Sequence, residues 1–249
     1  VEYWRDLHGV FRQEASYERM TSDTKDVAVQ IGGLPYFFVA ESNVINATGK
    51  LAFKNVELVA KKVATIARMS SELAEDAVMD VGEAVVMAIG EAFALAEDQC
   101  GFLGDGTSAF GSMQGIIPLI DGTTKLKGLY VPEGISSLED LTNAHMRKII
   151  SMIPGKYRMG CKWYCNSTVY DAVMAPILDA AGGNNQSDLE QGPGRLRFKG
   201  YDVRETQVLP DAESIGAEDN VLIFGNLRAG AKFGDRRMIT ISRSDQVYW

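Results

Sequence analysis

The stretch from Ser70 to Thr107, SSELAEDAVMDVGEAVVMAIGEAFALAEDQCGFLGDGT, constrains the fold more than any other. Leu73, Ala77, Val81, Val85, Ala88, Ala92 and Leu95 or Ala96 recur at steps of three or four, which keeps one narrow apolar stripe on a single helix face. Glu72, Glu75, Asp76 and Asp80 crowd the first turns, where carboxylates meet the positive end of the helix dipole, and Gly101, Gly104 and Gly106 are placed to stop the helix. Roughly 30 residues rising 1.5 Å each give a rod of about 45 Å, longer than a small domain is wide. Such a rod needs an extended subunit or a partner to lie on. Its stripe is Ala and Val rather than heptad Leu and Ile, which favours a helix backing an elongated sheet over a free coiled coil. An ordinary core helix of an enzyme is the competing reading.

The 249 residues allow one large domain or two ordinary ones, with enough apolar content to form a core. The 33 acidic residues outnumber the 25 basic ones, and no Lys/Arg run forms a phosphate-neutralising patch. Specific nucleic-acid binding is therefore not expected, although a container that must hold DNA without adhering to it would also be acidic. No apolar run approaches the ~20 residues needed to cross a bilayer, and the start of the chain lacks a basic region followed by an apolar signal core, so no membrane partner is expected. Three cysteines, Cys100, Cys161 and Cys165, fit a reducing compartment. With only His8 and His145 to join them, a zinc site is not expected.

Residues 1 to 33 mix Tyr3, Trp4, Phe11 and Tyr17 with charges and read as an arm, which either packs along its own domain or reaches a neighbour. Leu34 to Val44 and Leu51 to Leu58 flank the polar tip Asn46-Ala47-Thr48-Gly49-Lys50 and predict a hairpin. A two-stranded ribbon is marginal in water, so this one should lean on something else. Val59 to Met69 is expected as a strand with a basic face. Gly104 to Gly115 forms a glycine-rich turn without the lysine and helix start of a phosphate loop. Beyond Gly122, Ser136 to Glu139 predicts a capping box, and Leu138, Leu141, Ile149 and Met152 the buried face of a helix ended by Pro154-Gly155. Cys161 to Cys165 reads as a strand, Asn166-Ser167-Thr168 opens a helix burying Val169, Val173 and Leu178, and residues 181 to 194 form a loop. Arg197 to Arg204, Val221 to Phe224 and Arg237 to Ser242 resume strand character, which makes an α/β unit with helices covering a sheet.

Catalytic chemistry has no anchor in this pattern. His8 lies in the arm, His145 reads as a half-buried structural histidine, and neither neighbours a motif-bearing Ser or Cys. The dinucleotide, zinc-protease and nucleophile-elbow fingerprints are absent. No catalytic residue, cofactor or metal is expected.

Several pieces stand in a distinctive order: Ser70-Ser71-Glu72-Leu73-Ala74-Glu75-Asp76, the long Ala/Val helix, Glu97-Asp98, Phe102-Leu103-Gly104-Asp105-Gly106-Thr107 and Gln114-Gly115-Ile116. Trp163-Tyr164-Cys165-Asn166, Phe198 to Val203 with Leu209-Pro210, Ile223 to Asn226 and Ile239 to Arg243 follow. Together they resemble tailed-bacteriophage (or prophage) major capsid proteins of the Hong Kong 97 type. The resemblance implies an α+β capsid fold with a long spine helix at 70–103, an N-terminal arm at 1–33 and an extended β-hairpin loop at 34–58. It also implies a peripheral domain at 59–115 completed within 232–249, and an axial domain at 116–231.

The function so implied is self-assembly into an icosahedral shell around double-stranded DNA, in a virion made in the bacterial host cytoplasm. The implied partners are further copies in pentamers and hexamers, with scaffolding and portal proteins. Tyr3, Trp4, Phe11, Asn46, Thr48, Gly49, Lys50 and Lys54 become the candidate subunit contacts. Some members join subunits through a loop lysine and an asparagine; Lys50 and Lys54 stand near that lysine, but Tyr248 stands where the asparagine would be, so no cross-link is expected. Relative to the family pattern the chain starts without a scaffolding-like segment and ends before the last strands, which implies a processed or partial chain, or an axial sheet completed differently. An encapsulin-like compartment and a small-molecule enzyme using the Gly104–Gly115 loop are the alternative functions.

Overall fold

A computed structural model describes residues 1–30, 34, 38, 51–68, 81–121, 128, 130, 132, 137–180, 196–213 and 220–242. The chain divides into two compact units: Val1–Ser16 with Lys62–Phe233 and Ile239–Trp249, and Tyr17–Lys61 with Gly234–Met238. The arm stretch has regular secondary structure. It folds as α1 (Glu2–His8) and α2 (Val10–Glu14), followed by β1 (Ser16–Arg19) and β2 (Thr24–Gln30).

In the smaller unit, β2 runs antiparallel to β3 (Phe53–Val59), with Val27 opposite Val56 and Val29 opposite Lys54. The second strand of the expected hairpin is thus present and pairs with Thr24–Gln30; the expected first strand, 34–44, lies outside the described residues except for Leu34 and Phe38. Neither of these two is in a strand. Met20, 2 % exposed, anchors the unit; a Cβ on Gly234 would lie 2.6 Å from its sulfur, so glycine is needed there. Residues 60–68, expected as a strand, have no regular secondary structure and are almost all exposed.

In the larger unit the long helix is α3 (Val81–Leu103), and at 1.5 Å per residue its 23 residues span about 35 Å. The expected turns before Val81, with their acidic cluster, lie outside the described residues. Gly101 does not stop the helix, which runs on to Leu103 and ends before Gly104, where a Cβ would lie 2.4 Å from the Cys100 carbonyl oxygen. After α4 (Ile116–Asp121), the next helix begins later than expected. Ser137 and Asp140 form the capping box of a single 3₁₀ turn, Leu138–Asp140, and a second box of Thr142 and His145 opens α5 (Asn143–Met152). His145 is half-buried, and its Nδ1 accepts from the Thr142 amide at 3.1 Å.

β4 (Lys162–Cys165) lies inside a four-stranded sheet ordered β5 (Arg197–Phe198), β6 (Tyr201–Glu205), β4, β7 (Ile223–Gly225). It runs parallel to β6 and antiparallel to β7. Residues 197 to 204 are not one strand: Lys199 and Gly200, both at positive φ, make a tight turn between β5 and β6. Strand alternation sends Trp163 and Cys165 into one core with Met146, Val169, Met174 and Phe198, and Tyr164 into another with Phe11, Phe102, Leu209 and Leu227. One strand therefore divides two cores, which is why its residues are apolar on both faces.

Asn166 caps the helix after β4, its Oδ1 accepting from the Thr168 amide at 3.3 Å. That helix continues through the π-helical turn Tyr170–Met174 into Ala175–Ala180, which we label together α6. The chain closes with α7 (Leu227–Gly230) and β8 (Lys232–Asp235), which pairs with β1. The expected strand at Arg237–Ser242 is not formed; residues 237–242 are irregular.

Cys161 and Cys165 are buried, and burial pushes the Cys165 thiol up to about 12. Thiolate is the reactive form, so Cys165 should resist a thiol reagent at neutral pH until the protein unfolds, whereas half-buried Cys100 should react first. Timed labelling followed by peptide mass analysis checks this; equal native labelling of Cys165 and Cys100 would contradict it.

Candidate subunit-contact surfaces

The first site is where α1 and α2 lie on α3. The face of α3 turned inward is not the expected stripe. Gly90, Ala94, Asp98 and Phe102 are buried, whereas Ala88, Ala92 and Leu95 are exposed. The centre of this face is nearly side-chain-free, and that lets the arm approach. A Cβ on Gly90 would lie 2.7 Å from the Trp4 Cβ, and one on Gly101 would lie 2.4 Å from the Phe11 ring. Glycine inside a helix costs roughly 0.5–1 kcal/mol against alanine, so two such positions call for a packing reason, and the arm's aromatic residues supply it.

Asp98 does the polar work at this contact. α2 starts after Gly9, which has no side chain to cap it. The Asp98 carboxylate does so from across the interface, accepting from the Val10 amide at 3.1 Å and the Phe11 amide at 2.7 Å. Burial pushes the Asp98 carboxyl above its ordinary value, outweighing the two amide donors, which pull it down. Beside it, Arg12 forks onto Glu97 with two 2.7 Å hydrogen bonds and lies 4.6 Å from the Phe233 ring centroid. At the far end of α2, the Glu14 carboxylate accepts from Lys162 Nζ at 2.7 Å and from Arg204 Nε at 2.9 Å, which ties the arm to β4 and β6.

The candidate contact residues therefore separate. Phe11 is 6 % exposed and packs at 5.4 Å on Phe102 and 6.3 Å on Phe233, so it belongs to the core of its own chain. Trp4 is half-buried against Gly90 and stacked on His8 at 6.0 Å, while Tyr3 is 71 % exposed at the arm's outer side. Lys54 is exposed on β3. Asn46, Thr48, Gly49 and Lys50 lie outside the described residues. Sequence reasoning missed Asp98, Glu97, Arg12 and Glu14 as a docking set; the available signal was the run Gly90-Ala94-Asp98-Gly101, small residues and one acid on one helix face.

The second site is the ribbon of β2 and β3. Phe53 is 60 % exposed, and Val29, Val56, Val59 and Leu51 are also well exposed, so the ribbon presents apolar side chains that its own two strands do not cover.

The Gly104–Gly115 loop offers no phosphate cradle, because its amides are already used within it. Gly106 N–H donates to the Met113 carbonyl, Ser112 N–H to that of Thr107 and Gly115 N–H to that of Gly104. Thr107 N–H donates to the Asp105 carboxylate. Among the described residues no group of three or more His, Cys, Asp or Glu side chains is placed to hold a metal ion.

A profile of the phage capsid family matches residues 8–249. The fold is similar to that of the capsid of an empty GTA particle, computed with C5 symmetry: TM-score 0.70 at 19% identity, covering 95% of this chain and 79% of that one. The native GTA capsid matches with TM-score 0.62 at 21% identity, covering 88% and 73%. A protein of Mycobacterium phage Cain matches with TM-score 0.62 at 17% identity, covering 94% and 72%. No curated protein matches the sequence. The fold is thus the α+β Hong Kong 97-type capsid fold.

Two outcomes test the arm contact. Gly101→Ala should displace the Phe11 ring and expose residues 1–15 to hydrogen exchange and protease, with a loss of about 1–3 kcal/mol; unchanged protection would contradict the geometry. Asp98→Asn should change the pH dependence. The folded-state value of Asp98 is raised, so its contribution is complete below the ordinary carboxylate value of 3.8 and declines as pH rises through the raised value. The wild-type stability margin over Asp98→Asn should therefore shrink from acid toward neutral pH in denaturant melts, and a margin that grew would refute the assignment.

Proposed function

This chain belongs to the phage capsid family, and from that premise we propose that it is the major subunit of an icosahedral head that encloses double-stranded DNA. It is a structural protein and a virion component; its work is association with copies of itself. The observation that carries the reading beyond family membership is the β2–β3 ribbon, whose exposed Phe53, Val56 and Val29 need a surface outside the ribbon. A neighbouring subunit supplies that surface in a shell. In this reading the ribbon is the base of the extended loop, with Asn46, Thr48, Gly49, Lys50 and Lys54 toward its tip, and Tyr3 and Trp4 are the arm's contact residues. Residues 59–115 with 232–249 serve as the peripheral domain and 116–231 as the axial one.

Copies associate into pentamers and hexamers. The GTA capsid particles with the same fold were computed with C5 symmetry, which supports five-fold association for this chain. The net charge of −8 suits an inner wall that must not trap packed DNA. Scaffolding and portal proteins are the expected assembly partners, and synthesis takes place in the host cytoplasm before packaging.

The test is native size. The purified chain, with and without a scaffolding protein, should sediment as capsomers or shells and appear as closed particles in negative stain. A double variant, Phe53→Asp with Val56→Asp, should lose assembly and keep the wild-type melting temperature, since both side chains are exposed. A strictly monomeric wild-type chain under every condition, or full assembly of the variant, would contradict the reading.

A further inference from the structure

The two ends of β4 carry opposite charge and only one of them is apolar. At the amino end, residues 154–161 form a loop fixed from several sides. Tyr157 N–H donates to the Pro154 carbonyl at 2.9 Å, and Cys161 N–H to that of Arg158 at 3.1 Å. Arg158 Nε donates to the Ile153 carbonyl at 2.8 Å, and Asn226 Nδ2 to the Met159 carbonyl at 3.1 Å. Gly160 takes φ +80, and a Cβ there would lie 2.9 Å from Asn226 Nδ2. This pinned backbone holds Met159 out at 89 % exposure and Tyr157 at 58 %. Lys156 Nζ stands 4.6 Å from the Tyr157 ring centroid. Among the described residues no carboxylate pairs with Lys156 or Arg158.

At the carboxyl end the charge reverses. Glu205 lies opposite Cys165 in the β4–β6 register, and Asp171 lies in α6, which follows that end of the strand. Both are exposed, both act on the Cys165 thiol from close by, and neither has an ion-pair partner among the described residues. The two ends do not neutralise each other within the chain.

We propose that the Lys156–Met159 loop docks on the Asp171 and Glu205 end of β4 in the next copy of this chain, a head-to-tail contact that repeats around a ring. The proposal rests on the shell reading and names one contact inside it. Such a heterologous interface needs both halves on one subunit, and it closes into a ring when its rotation allows. Opposite charges at the two halves favour that register and penalise head-to-head encounters. A tyrosine and a methionine on a prefixed backbone give apolar contact with little ordering cost. A nucleic-acid partner fits less well. Two cations fall short of the roughly 6–10 phosphate contacts of a strong binder, and Met159 offers a phosphate nothing.

The test uses charge exchange in the full chain. Lys156→Glu and Glu205→Lys should each lower the assembled fraction in sedimentation velocity by about tenfold or more, as lost charge pairs at an interface do. Both changes in one chain recreate the pair in reversed order and should restore assembly to near wild type. Met159→Asp should also block assembly, while circular dichroism melts of all four variants stay unchanged. Single variants that assemble like wild type, or a double variant that fails to recover, would overturn the contact while leaving the shell reading standing. So would a Lys156→Glu chain that assembles fully but holds less nucleic acid. A wild-type chain that stays monomeric throughout would overturn the shell reading, and this contact with it.

Discussion

A buried carboxylate on a nearly bare helix face organises the larger unit. Asp98 caps α2 at 2.7 and 3.1 Å, and it can do so because Gly90 and Gly101 let the arm approach α3 closely. Burying a carboxylate is costly, and its raised proton affinity records that cost. The cost is offset by two amides that would otherwise be left unpaired at the start of a short helix, and by the Phe11 ring that the same approach seats on Phe102. Arg12 and Glu14 then extend the contact to Glu97 on one side and to Lys162 and Arg204 on the other. The arm, the long helix and the sheet thereby share one packing arrangement.

From β4 the same logic reaches outward. A strand buried on both faces separates two cores, with Trp163 packed on Phe198 and Phe224 on one side and Tyr164 beside Phe102 on the other. Large aromatic side chains fix the strand, and the strand fixes what stands at its ends. Shell subunits need this kind of rigidity, because contacts repeated around a ring accumulate any error in angle. The N–H groups of the glycine-rich loop donate within the loop, and Arg12, Glu14 and Glu97 join one element to another.

How legible this was in the sequence depended on which residues carried each element. Cys161 to Cys165 and the Val169, Val173 and Leu178 face were readable because buried apolar side chains at a fixed period define them. The long helix was readable as a helix, but its inward face was not. Periodicity follows apolar side chains, whereas here the inward face is glycine, alanine and an acid, and Ala88, Ala92 and Leu95 face outward. The strand at Thr24–Gln30 was missed for a related reason. Thr24–Gln30, TKDVAVQ, is polar enough to pass for an arm, and its strand state comes from pairing with Phe53–Val59 rather than from its own propensity. The helix starts slipped by one to several residues because Ser136, Ser137 and Thr142 all offer capping hydroxyls, and only packing selects among them. Of the candidate contact residues, Tyr3 and Lys54 are exposed, while Phe11 was drawn into the core by a glycine that sequence reading took for a helix stop.

In the shell proposed for this chain, the arm stays on its own long helix and the ribbon lies on a neighbour. An icosahedral reconstruction of particles assembled from the purified chain tests it most directly. The expected result is a closed shell in which Phe11 and Asp98 of one subunit remain in contact and the apolar side chains of the β2–β3 ribbon are covered by an adjacent copy. Particles in which the ribbon faces solvent on all sides, or in which the arm has left its own α3, would contradict it.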